Sequence, residues 1–250
     1  MKKYIIANPT GNLTALITEY CDSSDYISEA ALIMNANPEV EQAGFIIDID
    51  GDGDADIVLQ MAGGEFCGNA TLSAAAYYLM NNDIDEGDIR VRVSGASAPL
   101  IVSIEKKDTV YYGSVAMPLP TEISVFEDHP IVIFDGITHM IVPSDSMSEE
   151  QAEACIRDYC KKAEAPAFGI LLWDEKKEYM KPLVYVSEID SLFWEHGCAS
   201  GTSAIGAYYA YTTHSDVLID VHQPGGTLRV SAGYELGSLT ELKLSGSVSF

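Results

Sequence analysis

A stretch that occurs twice constrains this chain more than any other feature. Gly63-Gly64-Glu65-Phe66-Cys67-Gly68-Asn69-Ala70-Thr71 runs into the apolar, alanine-rich segment Leu72-Ser73-Ala74-Ala75-Ala76-Tyr77-Tyr78-Leu79. An apolar run opening at a cysteine predicts a buried helix with the thiol near its first turn. Gly197-Cys198-Ala199-Ser200-Gly201-Thr202-Ser203-Ala204-Ile205-Gly206-Ala207-Tyr208-Tyr209 carries the same design 131 residues later. With Cys67 aligned on Cys198, five of the first twelve positions are identical: the cysteine, a threonine, an alanine and two tyrosines. A lone cysteine is most often a small core residue. Repetition of the cysteine together with its helix start argues for chemistry instead.

Unpaired N–H groups and the positive end of the dipole make a helix N-terminus attractive to anions. The same field favours thiolate over thiol and is expected to lower a cysteine's pKa. Two such ends facing each other would hold a carboxylate and leave one sulfur on each side of the adjoining carbon. A thiolate on one face and a thiol on the other is what removing and returning an α-proton with inversion requires. Cys67 and Cys198 therefore point to a racemase or epimerase that uses no cofactor. A disulfide between them is an alternative, but it would consume both groups.

With 47% hydrophobic residues, the 250-residue chain has enough for a sizeable core, in one large domain or two. Fourteen basic against 38 acidic residues give a net charge of −24, which repels phosphate backbones and acidic membranes. Nucleic acid is therefore not an expected partner. No apolar run is long enough to span a membrane, and the start, Met1 to Pro9, reads as a first β-strand. Five cysteines without a CxxC fit a reducing cytoplasm.

The remaining segments also come in pairs. Two strands from Ile5 to Ile17 flank the tight loop Asn8-Pro9-Thr10-Gly11-Asn12. A helix is predicted over 25–36 and strands over 41–47 and 56–61. Between those strands, Asp48, Asp50, Asp52, Gly53 and Asp56 match calcium-loop positions. Leu59 stands where a bidentate Glu is needed, so an acidic hairpin turn is expected and no metal. Strands follow near 89–94, 100–105 and 110–116, and Met117-Pro118-Leu119-Pro120 is the expected junction between domains 1–117 and 118–250. The second half repeats the order: two strands, a helix opened by the capping box of Ser148 and Gln151, further strands, then Cys198. His139 falls in a strand and reads as a core histidine.

Together these residues resemble the cofactor-independent amino-acid racemases and epimerases of the diaminopimelate epimerase fold, and among them the histidine racemases. The resemblance rests on Asn8 to Asn12, Glu41 to Ile46, Glu65 to Thr71, Trp194 to Thr202 and His222 to Gly226. It implies an α+β protein of two duplicated domains, each a mostly antiparallel sheet curled around a central helix, with the active site between them. It further implies that backbone N–H groups of Gly68, Asn69, Ala199 and Ser200 hold the substrate carboxylate, with Gly201 in the same turn. Asn12, Glu41 and Glu195 match positions near the substrate. Ala70 and Trp194-Glu195-His196-Gly197 replace the glycine and the arginine-bearing segment of diaminopimelate epimerases, which argues against that substrate. The expected partner is an amino acid, histidine first, with no cofactor; a homodimer is left open. Another amino or imino acid, or a non-catalytic binder or redox sensor, are the alternatives.

Overall fold

A helix whose small and apolar residues face every direction has no side to offer water, so other elements must surround it. The structure, a computed structural model, describes residues 2–47, 53–188 and 190–250 and contains two such helices. Each belongs to one of two compact units: Met1–Ala116 with Ser245–Phe250, and Met117–Leu244.

The first unit runs β1 (Tyr4–Pro9), β2 (Thr14–Ile17), α1 (Tyr26–Ala36), β3 (Gln42–Ile47), β4 (Ile57–Met61), α2 (Gly68–Asn82), β5 (Glu86–Val93), β6 (Leu100–Lys107) and β7 (Val110–Ala116). Neighbours in the chain are neighbours in the sheet. The pairings are antiparallel for β1/β2, β3/β4, β5/β6 and β6/β7, and parallel for β2/β3 and β4/β5. A parallel pair needs a crossover, and α1 and α2 are those crossovers. Helix α2 packs against β1, β4, β5, β6 and β7, so the sheet wraps around it. Leu72, Ala74, Ala75, Ala76 and Leu79 are fully buried there. Burying each leucine contributes about 1.5–3 kcal/mol. Helix α1 covers the other face through Ala30 and Ile33, and Tyr26 stacks on Phe45 with centroids 4.1 Å apart.

The second unit repeats this order: β8 (Glu122–Phe126), β9 (His129–Phe134), β10 (Ile137–Pro143), α3 (Glu149–Lys162), β11 (Ala167–Asp174), β12 (Tyr179–Val186), β13 (Ser191–Trp194), α4 (Ala199–Thr213), β14 (Val217–Gln223), β15 (Gly226–Glu235) and β16 (Ser238–Ser249). From β9 onward the pairings alternate as before: β9/β10 antiparallel, β10/β11 parallel, β11/β12 antiparallel, β12/β14 parallel, β14/β15 antiparallel. Helix α3 starts at the expected capping box, with Ser148 Oγ accepting from the Gln151 amide and Gln151 Oε1 from the Ser148 amide. Helix α4 packs on β15, β14, β9 and β10. It lies so close to β15 that a Cβ on Gly206 would sit 2.5 Å from Val230 Cγ2.

The duplication extends to the helix ends. Asp83 and His214, 131 residues apart, are both left-handed C-caps, with φ of 55° and 53°. The end of β16 returns to the first unit, where Val248 and Ser249 pair with Pro9 and Asn8. Each unit is a mostly antiparallel sheet curled around one buried helix, as the resemblance implied. Of the acidic loop, Asp48, Asp50 and Asp52 lie outside the described residues, while Asp54 and Asp56 pair with Arg92 and Arg90. Among the described residues no group of three His, Cys, Asp or Glu is placed to hold a metal ion, and no helix is long and apolar enough to cross a membrane.

Candidate active site

Cys67 is the N-cap of α2. Its backbone is extended, with φ −136° and ψ 112°, and its sulfur accepts the Ala70 amide at 3.3 Å. Its carbonyl accepts from both the amide and the hydroxyl of Thr71. The thiol donates to Gln42 Oε1, with Sγ and Oε1 2.6 Å apart. The preceding loop is pinned by Ser94, whose hydroxyl donates to the Glu65 carbonyl. Gly95 permits that approach: its φ is +76°, and a Cβ there would sit 2.4 Å from the Phe66 nitrogen.

Asn12 and Glu41 meet in this unit. The Asn12 side-chain amide donates to Glu41 Oε2 at 2.6 Å, and Asn12 is fully buried. Its Oδ1 has no partner among the described residues. Glu41 immediately precedes Gln42, the first residue of β3, so the loop carrying Asn12 and the thiol of Cys67 are joined through two consecutive residues.

Cys198 is the N-cap of α4, with φ −113° and ψ 108°, and its sulfur accepts the Gly201 amide at 3.3 Å. Its carbonyl accepts from the Thr202 amide and hydroxyl, as at Cys67. The surroundings then diverge. The Cys198 amide donates to Gln223 Oε1 at 2.7 Å, and Ser200 Oγ lies 3.6 Å from the sulfur. Ser200 Oγ also lies 2.8 Å from Nε2 of His139, which is wholly buried on β10. Gly169, opposite His139 on β11, makes room for the ring, since a Cβ there would sit 2.1 Å from Nδ1.

The expectation that a helix end lowers the thiol's pKa is not met at Cys198. Burial pushes it well above its ordinary value, and the nearby Glu195 carboxylate pushes it further through its charge and a hydrogen bond. Ser200 and the Gly201 amide act in the opposite direction and are outweighed. A desolvated anion with a carboxylate neighbour loses more than two donors return.

Gly68 and Asn69 begin α2, and Ala199, Ser200 and Gly201 begin α4, so every residue expected at a carboxylate site stands at a helix start. Glu195 acts on Cys198, while His196 is exposed and its carbonyl accepts from the Gly225 amide. None of the five cysteines is in a disulfide. Gln42 and Gln223 fall inside segments that carry the resemblance, but no role was expected of them; each lies 25 residues from its cysteine. His139 is a core residue as expected, yet it also reaches Ser200.

The architecture is that of the diaminopimelate epimerase-like proteins. A PhzF-family phenazine biosynthesis protein of Bacillus anthracis superposes with a TM-score of 0.72 at 13% identity, covering 98% of this chain and 95% of that one. A hydroxyproline epimerase of Agrobacterium vitis, solved with trans-4-hydroxy-L-proline, gives 0.66 at 9% identity, covering 99% and 90%. Residues 2–250 match the family described as histidine racemase CntK N-terminal domain, and the chain belongs to that family. The histidine racemase of Staphylococcus aureus strain Mu50 is 34% identical over 94% of this chain and 91% of its own length. That of Fusobacterium nucleatum is 33% identical over 90% and 87%.

Proposed function

We propose that this protein, an isomerase acting on an amino acid, racemises histidine, with Cys67 and Cys198 as its two acid/base groups. The carrying observation is that each sulfur caps a buried helix in the same way, accepting the third amide of α2 or of α4. A thiolate takes the α-proton from one face of Cα, and the electron pair left behind spreads into the carboxylate. The opposite thiol delivers its proton to the other face. The pair is left with the roles exchanged, the form that accepts the product enantiomer; a proton exchanged with solvent restores the first form, and no electron is gained or lost, so two bases suffice.

An amino acid's α-proton is far less acidic than a thiol, so the developing charge must be stabilised where it appears. The amides of Gly68, Asn69, Ala199 and Ser200 are assigned to the carboxylate. In comparable settings one such donor is worth about 2.7–4 kcal/mol. Burial that keeps Cys198 protonated also makes its thiolate, once formed, a stronger base. Asn12, Glu41 and Glu195 are assigned to the substrate's polar groups. The Asn12–Glu41 hydrogen bond supports this by fixing one carboxylate beside the residue that touches Cys67.

The test is L-histidine with reduced protein in D₂O, following optical rotation and the α-proton NMR signal. Decay of rotation to zero with α-deuteration is expected. Exchange from another amino acid but not from histidine would move the substrate, and no exchange from any amino acid would overturn the racemase.

A further inference from the structure

Gln223 ends β14 and is 5% exposed. Its Oε1 accepts the Cys198 amide at 2.7 Å, and its Nε2 donates to Thr202 Oγ1 at 2.9 Å. Exchanging the oxygen and nitrogen would set a donor against the Cys198 N–H, so the amide has one orientation. The Thr202 hydroxyl in turn donates to the Cys198 carbonyl at 2.7 Å. The three bonds form a closed cycle that engages both backbone polar groups of the cysteine.

The first half has no glutamine at the matching position. Arg92 stands 131 residues before Gln223, and its guanidinium donates to Asp54. A glutamine does reach Cys67, but it is Gln42, and it contacts the thiol itself. Gln223 grips the Cys198 backbone instead, and the sulfur meets Gly201, Ser200 and Glu195.

We propose that Gln223 is a positioning residue for catalysis, fixing the backbone of Cys198 so that its sulfur is held at one place for proton transfer. This rests on Cys198 being an acid/base group. Proton transfer between heavy atoms is sensitive to misplacement on the ångström scale. Losing Gln223 leaves a buried N–H unpaired and frees the residue that carries the sulfur.

Gln223→Leu removes both bonds at similar volume. The expected result is a kcat at least about tenfold lower, with KM within about twofold. Mass-spectrometric mapping of iodoacetamide labelling should show a changed rate at Cys198, with Cys21, Cys155 and Cys160 as internal references. Thr202→Val breaks the same cycle from its other side, while Thr202→Ser keeps the hydroxyl and should retain activity. Adding Thr202→Val to Gln223→Leu should cost little more. Should Gln223→Leu fail to fold, the two Thr202 variants carry the test. A folded Gln223→Leu with unchanged kcat and unchanged labelling at Cys198 overturns the proposal. Wild-type racemisation by Cys198→Ala would overturn the role of Cys198 instead, while the labelling ratio would still report whether Gln223 holds it.

Discussion

His139 Nε2 lies 2.8 Å from the hydroxyl oxygen of Ser200, itself 3.6 Å from the Cys198 sulfur. Burial holds this imidazole neutral, with its pKa pushed from 6.5 down to about 3. Nδ1 has no partner among the described residues, so the less costly tautomer carries its proton on Nε2 and donates to Ser200. The serine is then able to turn its own proton toward the sulfur.

Acid sensitivity follows from that burial. An unfolded histidine takes a proton near pH 6.5, whereas folded His139 resists until about pH 3. Within that window the unfolded state binds more protons, so stability falls as the pH drops through it, and the group has no effect above it. Unfolding free energies from urea titrations between pH 7 and 4 should fall less steeply in His139→Gln than in the wild type, by up to about 1.4 kcal/mol per pH unit. Equal slopes would show that the ring titrates normally in the fold.

Glu195→Gln removes the carboxylate that raises the Cys198 thiol but leaves the burial in place. The thiol's pKa should therefore fall while staying above its ordinary value. Iodoacetamide labelling of Cys198 across pH 7–10 is expected to shift to lower pH in the variant. An unmoved profile would mean that the carboxylate does not act on the sulfur.

Gly169→Ala places a methyl group 2.1 Å from the His139 ring nitrogen, so the ring or the strand must shift. Destabilisation of about 1–3 kcal/mol is expected, the cost of overpacking a closed core. Chemical denaturation at pH 7.5 measures it, and a neutral result would mean that the ring moves freely.

Replacing Cys67 or Cys198 by alanine should reduce racemisation by more than about a hundredfold, since the opposite face then lacks its acid or base. Exchange of the α-proton with D₂O should persist from one histidine enantiomer in each variant, and the surviving enantiomer should differ between the two. Full racemisation by Cys67→Ala would end the two-base mechanism.

Much of the architecture was legible because it is written locally. The Ser148 capping box, the turn at Asn8 to Asn12 and the two Cys-led apolar runs are set by residues a few positions apart, and each folds as its pattern predicts. From the sequence the candidate site was legible as the sulfurs, the helix starts and, through the resemblance, Asn12, Glu41 and Glu195, but not the contacts these groups make. Gln42 and His139 reach Cys67 and Ser200 from 25 and 61 residues away, across strands whose register no spacing reveals. The helix-end rule for the Cys198 thiol failed for the same reason: it counts nearby amides and omits burial, which is the larger effect here.

By itself, then, the sequence determined a duplicated chain whose two cysteines each open a buried helix, because caps and periodicity act within about one helical turn. Only the tertiary structure decided what surrounds each sulfur. It set Gln42 on the thiol of Cys67, Gln223 on the backbone of Cys198 and His139 on Ser200, and it buried the Cys198 sulfur. It also returned the last strand to the first unit. The field and the dielectric at a sulfur sum over groups that are close in space and far apart in the chain, so they come into being only on folding.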